Sequence, residues 1–100
     1  MDKQEFNPAA LDEVIHGKLR LAIMAYLSAV SEASFTEVKA RTEASDGNLS
    51  VHMRKLEEAG YIEVGKTFVG RRPRTTLKLT ANGRKAWIAY LDQLRQLTGS

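Results

Sequence analysis

One hundred residues make a single domain, 1–100, and 43% hydrophobic content is that of a folded globular chain. The absence of cysteine excludes disulfides, thiolate metal sites and a cysteine nucleophile. The formal charge is only +3, yet residues 61–85 hold seven cations against one acid, while residues 1–60 hold seven cations against ten acids. A positive field gathered into one quarter of the chain suits a polyanion, whereas a solubilising face intersperses both signs.

The opening Met1-Asp2-Lys3-Gln4-Glu5 lacks the pattern of a secretion signal. No apolar run approaches the roughly 18 residues that span a bilayer. A cytoplasmic protein without a membrane partner is the expectation.

Asn7-Pro8 reads as a helix start, Asn as N-cap and Pro in the first turn. It predicts a short helix to about Ile15, then a bend at Gly17. A second helix, or a continuation, runs from Lys18 to about Ala29. Leu19, Ile23, Tyr26, Leu27 and Val30 mark its buried face at helical spacing. Ser31–Ser34 reads as a turn. Residues 35–42 read as a short helix, with Thr36 as N-cap and Phe35 stapled onto Ala40. Thr42-Glu43-Ala44 is a tight turn, so this helix and the next make a helix-turn-helix.

That next helix, 45–59, has clear ends. Ser45 can accept a hydrogen bond from an unpaired N–H of the first turn, and Gly60 can enter the left-handed region that closes a helix. Leu49, Met53 and Leu56 share the inner face. Asp46, Gly47, Asn48, Ser50, Val51, Arg54 and Lys55 are the candidates for contact with a groove. Small and hydrogen-bonding groups lead, and cations follow a turn later. His52 lies beside the apolar stripe.

After Gly60 the period changes from 3.6 to 2. Two strands, 61–67 and 75–79, flank a loop at 68–74 punctuated by Gly70 and Pro73. In this basic hairpin, 66–78, the candidate phosphate or minor-groove contacts are Lys66, Arg71, Arg72, Arg74 and Lys78. Base-stacking aromatics are not interleaved with these cations, which disfavours RNA; Phe68 is the one candidate, and its plainer reading is packing at the hairpin's base. Thr80 caps a last helix, 81–97, with the apolar stripe Trp87, Leu91, Leu94 and Leu97. The helices at about 8–29 and 81–97 are expected to pair two copies, through Leu11, Ile15, Trp87, Leu91 and Leu94.

Helices, a helix-turn-helix, a basic hairpin and a closing helix describe a mainly α chain with a small β-hairpin. This α+β class is a winged helix-turn-helix with extra N- and C-terminal helices. No catalytic constellation stands out: there is no Ser/His/Asp set and no phosphate-cradling Gly-rich loop. His16 and His52 are too few for a metal site, and no cofactor is expected. Leu11–Met24 resembles the opening of small winged-helix regulators related to the MarR and ArsR groups. Asp46–Ile62 and Gly70–Thr80 resemble the recognition helix and wing of small stand-alone winged-helix DNA-binding proteins. The resemblance implies a prokaryotic transcription regulator that binds double-stranded DNA as a homodimer, and it leaves any small-molecule effector open. The rival from another class is a winged helix used for protein–protein contact, because fold does not fix function.

Overall fold

The computed structural model describes residues 11–99, in the order α1 (Lys18–Val30), β1 (Glu32–Ser34), α2 (Phe35–Thr42), α3 (Asp46–Glu58), β2 (Ile62–Val69), β3 (Arg72–Leu79) and α4 (Ala81–Thr98). The strands form one antiparallel sheet in the order β1-β3-β2. Ile23, Met24 and Leu27 of α1, Val38 of α2, and Leu49 and Leu56 of α3 meet Ile62, Leu77 and Leu79 of the sheet and Tyr90 of α4 in one core.

Several boundaries differ from the sequence expectation. The helix start at Asn7-Pro8 lies outside the described residues. Leu11–Gly17 is not helical but holds a single turn. The Asp12 carboxylate accepts from the Val14 and Ile15 N–H groups (2.8 and 3.2 Å), and the His16 N–H donates to the Asp12 carbonyl (2.8 Å). A side chain competing for the backbone in this way ends a helix before it elongates.

Ser31–Ser34 contains a strand as well as a turn. Glu32, Ala33 and Ser34 pair with Lys78, Leu77 and Thr76, which seats Ala33 in the core. The N-cap of α2 is Ser34, not Thr36: its hydroxyl accepts from the Glu37 N–H (3.1 Å), and the Glu37 carboxylate accepts from the Ser34 N–H (2.8 Å). This reciprocal capping box satisfies two N–H groups at once, which a cap at Thr36 would not do. Ala40 is exposed, so Phe35 has no staple there.

The helix-turn-helix is present, with Glu43 at φ +56 in the turn between α2 and α3. Ser45 caps α3 by accepting from the Asn48 N–H (3.2 Å). Gly60, at φ +81, closes it in a Schellman arrangement. Its N–H donates to Glu57 and that of Tyr61 to Leu56.

The next joint is tight. The Thr80 hydroxyl donates to the Gly60 carbonyl (2.6 Å) and accepts from the Gly83 N–H (2.9 Å), and the Thr80 N–H donates to the Tyr61 carbonyl (3.0 Å). A Cβ on Gly83 would lie 2.0 Å from that Tyr61 carbonyl oxygen, so the start of α4 fits against β2 only as glycine. Gly83→Ala is expected to cost about 1–3 kcal/mol, the usual range for forced overpacking. A wild-type urea midpoint for this variant would show that the close approach is absent.

Candidate nucleic-acid interface

The two buried leucines of α3, Leu49 and Leu56, turn its opposite face outward. Gly47, Val51, Arg54 and Glu58 line the exposed arc, flanked by Asn48 and Lys55, while Ser50 is half-buried. All seven groove candidates on α3 therefore keep some accessible surface. Asp46 is engaged by Lys39 of α2 at 2.7 Å. That pair crosses the turn of the helix-turn-helix and offsets an acid at the end of α3 expected to meet phosphate. Glu58, on the same arc, is not among the sequence candidates. It lies at the C-terminal end, three turns from Gly47.

The inner flank of α3 is held by His52. The guanidinium of Arg20, on α1, donates to His52 Nδ1 (2.8 Å) and to the Val14 carbonyl. Arginine can only donate, so Nδ1 carries a lone pair and the ring is neutral. Burial, then the positive charges of Arg20 and Lys55, hold the His52 pKa below its ordinary 6.5. The unfolded chain therefore binds this proton more readily than the folded one. The stabilisation is complete above about pH 6.5 and is lost as pH falls toward the lower folded value. His52→Gln should flatten the thermal stability profile on the acid side of pH 6.5; an unchanged slope would assign the acid sensitivity to other groups.

The hairpin is longer than the sequence suggests. β2 and β3 pair without interruption from Ile62↔Leu79 to Val69↔Arg72, leaving only Gly70 and Arg71 as the turn. Gly70 takes φ +65, which a two-residue hairpin turn needs. Pro73 falls beyond the end of β1, where β3 is an edge and tolerates a missing N–H. Phe68 is not at the base: it pairs with Pro73, one rung below the turn, and is 70% exposed.

The five wing cations do not form one cluster. Arg71 and Arg72 share the tip. Arg74 lies 3.7 Å from Glu37 of α2, both groups about half exposed. The Glu37 carboxyl is held below its usual range, chiefly by the hydrogen bond from the Ser34 backbone, with Arg74 a smaller cause. Lys66 pairs with Thr75 midway along the hairpin. Lys78 is in register between Glu32 and Glu63, roughly 20 Å from Arg72 at the spacing of an extended strand, so it stands apart from the tip.

A second anchor lies at the base of the hairpin. The Tyr61 hydroxyl donates to the Asp12 carboxylate, and this bond, burial and the carboxylate charge push the phenol pKa up to about 12. His16 Nδ1 shares a hydrogen bond with the Tyr90 hydroxyl (2.8 Å). The N-terminal turn is thus tied to β2 and to α4.

On the surface expected to meet a second copy, one residue is corrected. Ile15 is fully buried in the core of its own chain and has nothing to offer a partner. Leu11, Trp87 and Leu94 are partly buried against the same core. Leu91 is half-buried, with Ile88 (54% exposed) beside it on α4, while Leu97 (52%) is exposed further along, across the helix from Ile88. Among the described residues no helix is long and apolar enough to cross a membrane.

Comparison with known proteins agrees with this geometry. The family described as "Winged helix DNA-binding domain" matches residues 19–98. The chain is 33% identical over 86 residues to the uncharacterized protein MJ0432 of Methanocaldococcus jannaschii, covering 86% of this chain and 94% of that one. A transcriptional regulator homologue from Pyrococcus horikoshii superposes with a TM-score of 0.82 at 27% identity, over 88% of this chain and 87% of that one. The M. tuberculosis transcriptional regulator MOSR, solved in complex with DNA, shares the fold (TM-score 0.67, 20% identity, 92% of this chain and 62% of that one). An ArsR-family regulator shares it too, at TM-score 0.62 and 23% identity, over 88% and 91% of the two chains. The chain belongs to the winged-helix DNA-binding domain family.

Proposed function

We propose that this protein is a sequence-specific transcription regulator that binds double-stranded DNA as a homodimer in the cytoplasm. The observation that carries the reading is the division of labour between two outward surfaces. α3 presents a small, polar, cation-bearing arc, yet its own charges (Arg54 and Lys55 against Asp46, Glu57 and Glu58) do not favour a polyanion. The hairpin supplies what α3 lacks: from Val64 to Leu91 there is no acidic residue, and Arg71 and Arg72 project at the tip. The membership of this chain in a DNA-binding family, and a structural relative described as a transcriptional regulator homologue, support the same reading.

In this mechanism the N-terminal half of α3 enters a major groove. Asn48, Ser50 and Arg54 meet base edges or nearby phosphates, Val51 (53% exposed) is available to a thymine methyl, and Lys55 meets phosphate. Arg71 and Arg72 hold the flanking backbone, and Arg74 joins once released from Glu37, since an exposed ion pair contributes only about 0–1 kcal/mol. Two copies paired through Ile88 and Leu91 of α4 present half-sites about 10–10.5 bp apart, or a multiple of that.

Binding to duplexes recovered from a randomised pool tests each part. Replacing Arg71 and Arg72 together by Ala should weaken binding on every sequence and flatten the salt dependence by about 0.9 for each phosphate no longer neutralised. An unchanged salt slope would remove the wing from the interface. Arg54→Ala should alter sequence preference, at about 1–3 kcal/mol for the affected base pair, whereas uniform weakening would demote Arg54 to a phosphate contact. Leu91→Glu should sediment as a monomer; a persisting dimer would move the pairing surface away from α4.

A further inference from the structure

We infer that Phe68 is an apolar wedge: the hairpin tip enters the minor groove beside each half-site, and Phe68 opens and kinks one base step there. The inference rests on the DNA-binding reading above and deepens it. Four observations lead to it.

The first is position. Ile62, Val64, Lys66 and Phe68 share one face of β2, and core packing on that face stops at Val64 because Lys66 is exposed. Phe68 lies about 13 Å further along the strand, too far to belong to the core. The second is exposure. Phe68 is 70% exposed and Val69 60%, the two highest values among the exposed large hydrophobic side chains of the described residues. The third is its partner across the ladder. Phe68 pairs with Pro73, so one face of the tip ends in two apolar rings, while Val69 and Arg72 occupy the other face. Both residue types are ones that proteins insert between base pairs from the minor groove.

The fourth observation selects the occupant. Arg71 stands in the adjoining turn, Arg72 on the opposite face of the same tip and Lys66 two positions earlier on the Phe68 face, and no acid lies between Val64 and Leu91. Two such tips repel each other, so a second wing does not cover the patch. An apolar ring at a tip that carries only positive charge fits a surface that offers base stacks between rows of phosphates. DNA provides both within a single groove, and Arg is attracted to that groove where it is narrow.

The consequence is a specificity determinant at a step that no hydrogen bond reads. Pyrimidine–purine steps unstack most cheaply, so a TA or CA/TG step should recur at a fixed distance from each half-site. Phe68 therefore selects sequence through deformability, and α3 selects it through base edges.

The test uses a duplex recovered from a randomised pool, with 2-aminopurine at the flanking step and fluorophores at the two ends. Wild-type protein should raise the 2-aminopurine emission and bring the ends closer. Phe68→Ala, at an exposed position that leaves folding intact, should abolish both signals and bind about tenfold more weakly, the scale of removing one aromatic ring stacked on a base. Phe68→Leu should restore part of the bend, because leucine is also a wedge residue. Arg54→Ala should weaken binding and keep the emission change at saturation. Tight wild-type binding with no change in emission or end-to-end distance would overturn the wedge and leave the DNA-binding reading standing. So would Phe68-dependent attachment to phosphatidylglycerol vesicles beside undistorted DNA. Failure of the wild-type protein to bind any duplex in the pool would overturn both.

Discussion

The contact on which the rest of the molecule depends is the meeting of Gly60-Tyr61 with Thr80 and Gly83. It joins four element ends within a few ångströms: the close of α3, the start of β2, the end of β3 and the start of α4. Each group there has little freedom. Gly60 must take a positive φ for α3 to stop, Thr80 must bridge Gly60 to Gly83, and Gly83 must lack a side chain to pass under the Tyr61 carbonyl. Every hydrogen bond in the joint satisfies a backbone group that would otherwise be unpaired at an element end. The angle between α3 and the hairpin is fixed at this point, and so is the relation between the two surfaces proposed to face a duplex.

Around that joint the N-terminal turn acts as a strap. Asp12 binds its own backbone with one carboxylate oxygen and the Tyr61 hydroxyl with the other. Arg20 binds the same turn and His52 of α3. The strap thus holds both the wing base and the inner flank of α3, the side away from the exposed arc. Restraint on the buried side leaves Gly47, Val51 and Arg54 accessible while limiting how far α3 can tilt.

What can be read from the sequence follows from the range of the forces involved. α3 is legible almost in full because its signals are local: Ser45 at one end, Gly60 at the other, and Leu49, Met53 and Leu56 between. The α+β class follows from the change of period after Gly60. β1 is not legible, since three residues have no period of their own and are held by pairing with Lys78, Leu77 and Thr76, more than forty positions away. The hairpin turn is obscured for a different reason. Gly70 and Pro73 both punctuate, and only the pairing register reveals that Pro73 lies in a strand and Phe68 one rung below the tip. The ion pairs of Arg74 with Glu37 and of Asp46 with Lys39 join separate elements, so a count of charge along the chain does not anticipate them. Such a count overstates the wing, whose free positive tip reduces to Arg71 and Arg72.

In the proposed complex α3 and the hairpin tip meet one duplex in different grooves. Methylation interference tests it most directly, because dimethyl sulfate marks guanine N7 in the major groove and adenine N3 in the minor groove. Guanine methylation inside each half-site should block binding, and adenine methylation should block it at positions flanking the half-site. Interference confined to one groove, or none at all on a duplex that binds tightly, would contradict it.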